Sequence, residues 1–203
     1  MNNPFSTTYL GSSQLRELGF AEVGENVSIA LGCTIVGMHR IRLASNIRID
    51  PNTTIIVSDE SEILIGNFVH ISGGCHLAAA DTIELSDYSG LSQGVSIYTA
   101  TDDYSGETMT NPMVPAEYKN VYKSPVHLGK HVIVGSGSII LPGVSILDGC
   151  SVGALSLVRK STTPWGVYAG SPARRIAERS RELLKLEAEL DYHLKEQKIV
   201  DII

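Results

Sequence analysis

Aliphatic residues recur at every sixth position over most of this chain, and this period limits the possible folds more than any other feature. The period pauses between Pro51 and Glu60 and again at Ser89, and resumes each time. A period of six fits neither a helix nor a simple two-residue alternation, and it indicates strands of about three residues separated by turns. The positions form three runs: Val23, Ile29, Ile35, Ile41 and Ile47; Ile65, Ile71, Leu77, Ile83 and Val95; and Leu128, Val134, Ile140, Ile146, Val152 and Val158.

Three such strands and their turns predict one coil of about eighteen residues in an all-β, parallel β-helix. Equivalent aliphatic side chains would then stack from coil to coil at the roughly 4.8 Å spacing of neighbouring strands. We expect Asn26, Asn46 and Gly135 to lie at corners with positive φ. A β-sandwich of short strands is the alternative, but its strands would not keep a fixed six-residue phase over this distance.

Two segments leave the six-residue period. Residues 98–124 are polar and rich in turn residues, which predicts a long loop ejected from the coil, and such loops commonly carry function. After Pro172 the chain becomes charged, with apolar residues near helical spacing that include Ile176 and Leu190, which predicts an amphipathic helix. At the front, Ser12 or Ser13 is expected to cap a short helix. The predicted organisation is an N-terminal capping segment over 1–20, a β-helix over 21–170 and a C-terminal helix over 171–203.

Charge and cysteine usage narrow the class of protein. Of the 203 residues, 16 are Lys or Arg and 22 are Asp or Glu, which disfavours nucleic acid as a partner. The three cysteines, Cys33, Cys75 and Cys150, have no spacing typical of a disulfide framework or a zinc knuckle. The stretch from Met1 to Gly11 lacks the pattern of a secretion signal, and no run of residues is long and apolar enough for a membrane span. We therefore expect a soluble, cytoplasmic protein.

Three motifs in the second half are more specific than the period itself. They are IVGSGSIILPGVSI (Ile133–Ile146), SVGALSLVRK (Ser151–Lys160) and VYAGSPARRI (Val167–Ile176). With them, the chain from Gly19 to Ile176 resembles the hexapeptide-repeat acyltransferases, which include galactoside, maltose and nucleotide-sugar acetyltransferases. The resemblance implies a left-handed β-helix, whereas the general rule for parallel crossovers would predict the right hand.

The resemblance also implies a cofactor, an assembly and a set of binding residues. Members of this family are homotrimers that bind acetyl-CoA in a groove between subunits and transfer the acetyl group to a small acceptor, commonly a sugar, without a metal. Small residues would admit the pantetheine arm, and basic residues would bind the phosphates. The alternative for the small residues is simple corner geometry, and the alternative for the arginines is a solvated helix start. The family's pantetheine contacts correspond to Ser136, Gly153 and Ala154, and its phosphate contacts to Lys160, Arg174 and Arg175.

The chain departs from the family at the start of the loop. Many sugar O-acetyltransferases of this kind carry a catalytic histidine in a stretch resembling IYTHNHDY, and here the stretch reads IYTATDDY from Ile97 to Tyr104. Ala100 and Asp102 stand where the histidines would be. A sugar hydroxyl needs a base to take its proton, whereas an amine needs less help. The missing histidines therefore favour N-acetylation of a nucleotide-linked amino sugar, used in surface polysaccharide synthesis, over O-acetylation of a sugar hydroxyl.

Several residues are candidates for the remaining chemistry. Asp102 could act as a base or bind the amine, and His76, predicted to point outward near the loop, is the alternative catalytic residue. His127, where the loop rejoins the coil, is a weaker candidate for the base. We assign Asp103, Tyr104 and His127 to substrate binding. Asp102 and Asp103 could instead cap a turn, and catalysis by orientation alone also stays open.

Two functions from other classes account for less of the sequence. A zinc hydratase can be built on the same prism, but it needs three converging imidazoles, and the six histidines lack the spacing and context of such a site. A non-catalytic solenoid would need neither the long loop nor the AGSPARR ending. Acyl transfer therefore remains the prediction that accounts for most of the chain.

Overall fold

A computed structural model describes residues 6–58 and 60–200, with the backbone alone for residues 197–200. The chain forms an all-β, left-handed parallel β-helix of six three-stranded coils, and a further strand begins a seventh coil. The predicted fold class is thereby confirmed. In the described part of the chain, no helix is both long enough and apolar enough to cross a membrane.

Strand β1 (Tyr9–Gly11) and helix α1 (Ser12–Glu17) precede the coils. Short 3-10 helices lie at Met38–Arg40 and Ala116–Tyr118. The six coils are, in order, β2 (Glu22–Val23), β3 (Val27–Ala30) and β4 (Thr34–Val36); β5 (Ile41–Leu43), β6 (Ile47–Ile49) and β7 (Thr54–Val57); β8 (Ile63–Ile65), β9 (Val69–Ile71) and β10 (His76–Ala79); β11 (Ile83–Leu85), β12 (Gly90–Leu91) and β13 (Ser96–Tyr98); β16 (Val126–Leu128), β17 (Ile133–Val134) and β18 (Ile139–Ile140); and β19 (Ser145–Ile146), β20 (Ser151–Val152) and β21 (Leu157–Val158).

The remaining elements are β14 (Ala100–Thr101) and β15 (Tyr122–Lys123) in the loop, β22 (Gly166–Ala169) and β23 (Arg174–Glu178) after the last full coil, and helix α2 (Leu183–Val200). The first strand of each coil lies on face 1, the second on face 2 and the third on face 3, and neighbouring coils pair in parallel on every face. The turns between faces are called the 1/2, 2/3 and 3/1 corners below.

The core consists of the aliphatic ladder that the sequence predicts. Every residue of the three runs is buried except Ile35, which is half-buried and packs against the rest. Ser89, where the period pauses, is also buried, and Thr53 takes an inward position at the other pause and donates a hydrogen bond to the Ser72 carbonyl at 3.3 Å. The pauses are therefore polar substitutions within a continuous core.

Coil length differs from the eighteen residues expected throughout. Residue 127 on β16 pairs with residue 145 on β19, a step of 18, but residue 22 pairs with 42, residue 41 with 63 and residue 63 with 83, which are steps of 20, 22 and 20. The period of six alone could not reveal the extra residues, because they lie outside the inward positions. The long loop also leaves between face 3 and face 1, at the 3/1 corner.

Two corner expectations are confirmed and one is corrected. Asn26 and Asn46 have φ of 54° and 61° at the 1/2 corner. The positive φ near Gly135 belongs to Gly137, at 69°. Gly135 serves another purpose, because a Cβ there would lie 2.5 Å from the backbone nitrogen of Ala154 in the next coil. A side chain at this position would push neighbouring coils apart.

Both ends of the chain differ in detail from the sequence interpretation. Gly11 precedes α1 as its N-cap residue, and the Ser12 hydroxyl instead accepts a hydrogen bond from the Val27 amide at 2.9 Å. Ile176, placed in the C-terminal helix by its spacing, lies on β23, which pairs antiparallel with β22, and the helix begins only at Leu183. The capping role of residues 1–20 and the boundaries at 20 and 170 stay predictions, and residues 1–5 and 201–203 lie outside the described part.

Helix α2 is attached to the 1/2 corner through a stack of rings. Phe68, Tyr88 and His131 occupy the same turn position in successive coils, with ring centroids 5.0 and 4.9 Å apart. Glu187 of α2 forms ion pairs with Lys130 and with His131, the latter at 2.8 Å. The Tyr88 hydroxyl donates to Asp191 at 3.3 Å. Burial, together with Asp191, raises the pKa of Tyr88 to about 12.

We predict that acid releases helix α2 from the corner. Burial would raise the pKa of Glu187, but hydrogen bonds from Lys130 and His131 outweigh it and hold that pKa below its ordinary value of 4.5. A carboxylate with a lowered pKa stabilises the docked state above its ordinary pKa and loses that contribution as the pH falls through the lowered value. The protection factors of the α2 amides, which already allow for the slower intrinsic exchange in acid, should therefore fall severalfold below about pH 4.5.

Glu187→Gln should give the same loss of protection at neutral pH, because a neutral amide cannot replace the carboxylate opposite Lys130 and His131. Glu189→Gln, on an exposed position of the same helix, is the matched control and should exchange at the wild-type rate. Equal exchange in the two variants at neutral pH would contradict a docking role for Glu187.

Candidate active site

The loop is closed at its root by a pair of short strands. Strands β14 and β15 pair antiparallel, with Ala100 opposite Lys123 and Thr101 opposite Tyr122. Thr99, fully buried just before them, accepts hydrogen bonds through Oγ1 from the amides of Ala80 and Asp81 at 2.8 and 2.9 Å. These bonds fix the point at which the chain leaves the coil, so the residues that follow are held against face 3.

A cavity of about 320 Å³ opens at this root. One wall is polar and comes from the loop, and the other is apolar and comes from the next coil. Such a mixture suits a ligand that presents a few polar atoms on a mainly apolar body. The lining residues are Tyr98, Ala100, Thr101, Asp102 and Tyr104 from the loop side, and Ile139, Leu141 and Pro142 from the coil side.

Asp102 lies on the wall of this cavity, and Asp103 is used within the loop. Asp102 accepts a hydrogen bond from the Asn111 amide at 3.3 Å. Asp103 accepts from the Ser105 amide at 2.8 Å and from the amide and hydroxyl of Thr108 at 2.9 and 3.0 Å. Hydrogen bonds from Ser105 and then Thr108 lower the pKa of Asp103 to about 2. Asp103 thus caps turns in the loop, which was the alternative to its substrate-binding role.

Tyr104 and His76 both lie near Tyr98. Tyr104 is 93 % exposed and contributes to the cavity wall. His76 projects from β10 on face 3, beside Thr54 and Ser96 on the neighbouring strands, and its ring centroid lies 5.5 Å from that of Tyr98. The structure therefore brings His76 to the same side of the prism as Asp102, next to Tyr98, which lines the cavity.

His127 lies around the corner from these residues. It projects from β16 on face 1, with its Nδ1 3.1 Å from a carboxylate oxygen of Glu84 on the adjacent strand. The cavity at the loop root is lined from face 3 and the loop, so His127 is separated from Asp102 by the 3/1 corner. His127 does not line this cavity, so its predicted role in binding or catalysis stays a prediction.

The cofactor candidates divide between two corners. Ser136, Gly153 and Ala154 lie at the 2/3 corner, where the Leu155 amide donates to the Ser136 carbonyl at 2.9 Å. Arg174 begins β23, opposite Ala169 on β22, which also reaches this corner. Lys160 follows β21 and so lies at the 3/1 corner.

Arg175 and Arg174 differ in their partners. Arg175 forms an ion pair with Glu178 of the same strand, whereas the Arg174 guanidinium donates to the Ala173 carbonyl at 3.1 Å. Both residues are exposed. An anion would have to compete with Glu178 for Arg175, so Arg174 is the more available of the two for a phosphate.

The two halves of the predicted site therefore lie at opposite edges of face 3. The loop root, with Asp102, is at the 3/1 edge, and the small residues at positions 136, 153 and 154 are at the 2/3 edge. Within one chain, the width of the face separates them.

Sequence reasoning missed the apolar wall of the cavity and a polar cluster elsewhere. Ile139, Leu141 and Pro142 belong to the motif Ile133–Ile146, but the motif does not predict that they face the loop. The polar cluster joins Tyr9, Arg48, Asp50 and His70 on face 2, and pairing of Arg48 with His70 depends on a coil of 22 residues that the period did not reveal. Within residues 6–58 and 60–200, no group of three His, Cys, Asp or Glu side chains is placed to hold a metal ion.

Comparisons with known proteins agree over nearly the whole chain. No protein-family model matches it. The chain is 41 % identical over 180 residues to a dTDP-4-amino-4,6-dideoxy-D-glucose acyltransferase of Escherichia coli, a match that spans 89 % of this chain and 93 % of the relative. At this identity and coverage, the loop and both corners fall within the matched region.

Solved structures give the same picture. AntD, an N-acyltransferase from Bacillus cereus in complex with dTDP and 3-hydroxybutyryl-CoA, is 34 % identical with a TM-score of 0.88, over 94 % of this chain and all of that one. A single-site variant of AntD in complex with dTDP-4-amino-4,6-dideoxyglucose and coenzyme A is 35 % identical with a TM-score of 0.86, over 91 % of this chain and 97 % of that one.

Proposed function

The chain belongs to the hexapeptide-repeat, left-handed β-helix acyltransferases, and on that premise we propose that it transfers an acetyl group from acetyl-CoA to the amine of a dTDP-linked 4-amino sugar. It is an acyl-CoA-dependent acyltransferase. The observation that carries the proposed acceptor is the likeness, over nearly all of both chains, to an acyltransferase that acts on such a sugar. The expected product is an N-acetylated nucleotide sugar for surface polysaccharide synthesis.

The chemistry asked of the site is modest. The free amine attacks the thioester carbonyl, a C–N bond forms, the C–S bond breaks, and coenzyme A leaves as its thiol after the amine's proton has been passed on. We propose that Asp102, which lies on the wall of the cavity, binds the amine and accepts that proton. The apolar wall formed by Ile139, Leu141 and Pro142 excludes water from one side of the reacting centre.

His76 supports a second acceptor, a sugar hydroxyl. It is a partly exposed imidazole beside Tyr98, and an imidazole is the base that a hydroxyl nucleophile commonly requires. This candidate differs from the first in its need for a base of near-neutral pKa, so loss of His76 would abolish O-acetylation but would leave N-acetylation largely intact.

Acetyl-CoA is the proposed donor, bound at the 2/3 corner. Ser136, Gly153 and Ala154 leave room for the pantetheine arm, and Arg174, with Lys160 and Arg175, is proposed to hold the phosphates. Gly153 supports this placement, because a Cβ at this position would already come within 3.2 Å of the Ala169 side chain. A backbone without side chains is the surface that a narrow carrier arm can approach.

A homotrimer with active sites between subunits completes the proposal. The separation of the loop root and the 2/3 corner on face 3 supports it, since a neighbouring subunit can supply the missing half. We also place the enzyme in the cytoplasm, because three unpaired cysteines, two of them buried, fit a reducing compartment.

A direct assay tests the proposed reaction. Purified protein with acetyl-CoA should release free thiol when dTDP-4-amino-4,6-dideoxyglucose is added, and at least about tenfold more slowly with dTDP-6-deoxyglucose, because the amine is the better nucleophile. Competition between acetyl-CoA and 3-hydroxybutyryl-CoA measures the acyl preference. Faster thiol release with the hydroxyl sugar would transfer the proposal to O-acetylation, and release with neither sugar would overturn it.

A further inference from the structure

A four-residue polar cluster on face 2 is organised around one carboxylate. Asp50 Oδ1 accepts hydrogen bonds from the Tyr9 hydroxyl at 2.8 Å and from Arg48 Nε at 2.7 Å. Asp50 Oδ2 lies 2.9 Å from His70 Nε2, and Arg48 Nη2 donates to the Tyr9 oxygen at 3.0 Å. Burial would raise the pKa of Asp50, but the bonds from Tyr9, His70 and Arg48 outweigh it and lower that pKa.

The carboxylate of the cluster is largely buried, whereas the Arg48 and His70 side chains are exposed. The side chain of Asp50 is only 16 % exposed, while those of Arg48 and His70 are 60 % and 52 % exposed. The contacts use Nε and Nη2 of Arg48, and a guanidinium carries five N–H donors, so it has donors beyond those contacts. His70 Nε2 faces Asp50, so Nδ1 is the nitrogen left for an anion, and it donates when the imidazole carries both protons. Because Asp50 orients both groups, less conformational entropy would be lost when they bind an anion.

A groove of about 490 Å³ lies beside the cluster. It combines amides and a hydroxyl with an aromatic ring, which are groups that suit hydrogen bonding and stacking with a nucleoside. Its lining residues are Asn26, Ser28, Asn46, Ile47, Arg48, Phe68, Val69 and His70.

The position of the cluster matches the length of the proposed acceptor. Asp50 directly follows β6, so it lies at the 2/3 corner, the same corner that carries Ser136 and Ala154 in later coils. In the proposed trimer the loop root that meets this corner comes from the neighbouring subunit. The loop leaves after the fourth coil and Asp50 belongs to the second, so the cluster lies two strand spacings, about 10 Å along the prism, from the level of that loop root. This is roughly the length of a hexose with its first phosphates.

We propose that Arg48 and His70, held in place by Asp50 and Tyr9, bind the diphosphate of the nucleotide-linked acceptor at the 2/3 corner, with the nucleoside extending into the adjacent groove. This inference rests on the proposed function. It assigns the two ends of one corner to two substrates: the later coils to the acyl carrier and the early coils to the nucleotide.

The test is Arg48→Met, which keeps the aliphatic stem and removes the donors. Arg42→Met is the matched control, because Arg42 occupies the equivalent outward position one face earlier in the same coil and also pairs with carboxylates. Binding of dTDP is measured by calorimetry, and KM is measured for both substrates. Arg48→Met should weaken dTDP binding and raise the acceptor KM at least about tenfold, with the KM for acetyl-CoA unchanged, whereas Arg42→Met should match wild type.

Two more variants separate binding from structural support. His70→Gln leaves the contacts between Arg48, Asp50 and Tyr9 in place, and should also weaken dTDP binding. Tyr9→Phe removes two hydrogen bonds from the cluster but neither donor to the anion, so it should have a smaller effect than Arg48→Met. Equal losses of dTDP affinity in Tyr9→Phe and Arg48→Met, or wild-type affinity in Arg48→Met, would overturn the inference.

Failure of the proposed function gives a different result. If wild-type protein neither binds dTDP nor turns over a dTDP-linked amino sugar, the function itself is wrong, whatever the variants do. If wild-type protein does both and the Arg48 variant is unchanged, the acyltransferase activity stands and the diphosphate lies elsewhere.

Discussion

Asp102→Asn lowers kcat for the dTDP-linked 4-amino sugar at least about tenfold, and a positioned general base commonly contributes a hundredfold or more. The asparagine keeps the shape of the side chain and its contact with the Asn111 amide but cannot take a proton. Asp102 is expected to matter more than His76 because it lies on the wall of the cavity, whereas His76 contacts the ring of Tyr98. His76→Ala should accordingly lower kcat less than Asp102→Asn does.

The measurement is thiol release under saturating acetyl-CoA, with kcat and the acceptor KM determined separately. Glu107→Gln is the control, since it makes the same chemical change at an exposed carboxylate elsewhere in the loop, whereas Asp102 is half-buried. A tenfold loss in His76→Ala with wild-type kcat in Asp102→Asn would assign the base to His76. If both variants turn over like wild type, neither residue is the base, and orientation of an already neutral amine is sufficient.

The fold could be predicted from the sequence because the six-residue repeat determines the strands, the turns and the core at the same time. Residues such as Leu77 and Ile140 are spaced by the period, point inward and stack on their equivalents in the next coil, so one pattern specifies the strand, the turn and the core together. What the period did not specify lies between the inward positions. The early coils are longer because their corners hold two to four extra residues, and extra corner residues do not change the spacing of the inward positions within a strand. Strand β23 lies outside the repeat, so the period gives no information about it.

The candidate site was predictable to the extent that it follows the family pattern. Asp102 was found because it replaces an expected histidine, and the structure places it on the cavity wall. His127 was proposed from its position beside the loop; it lies on face 1, across the 3/1 corner from the cavity, and its role stays a prediction. The cluster around Asp50 gave no sequence signal, because Tyr9, Arg48 and His70 come from three different coils or strands.

Co-expression of Asp102→Asn with Ala154→Trp restores activity to well above the level of either variant alone. Ala154 is exposed at the 2/3 corner, so a bulky ring can be accommodated there without disturbing the core while it blocks the path of the pantetheine arm. In a cyclic trimer whose sites combine the loop root of one subunit with the 2/3 corner of the next, random mixing makes about one site in four intact in both halves. Activity should thus reach about a quarter of the wild-type value.

A second mixture separates a shared site from a site within one chain. Wild type is co-expressed with the double variant that carries both Asp102→Asn and Ala154→Trp. A site between subunits again gives about a quarter of wild-type activity, because both neighbours must be wild type, whereas a site within one chain gives about a half. If the site lies within one chain, the first mixture should show no more activity than the two single variants show separately. The two activity ratios together decide whether each active site combines Asp102 of one subunit with Ala154 of its neighbour. In a single chain the width of face 3 separates these two residues.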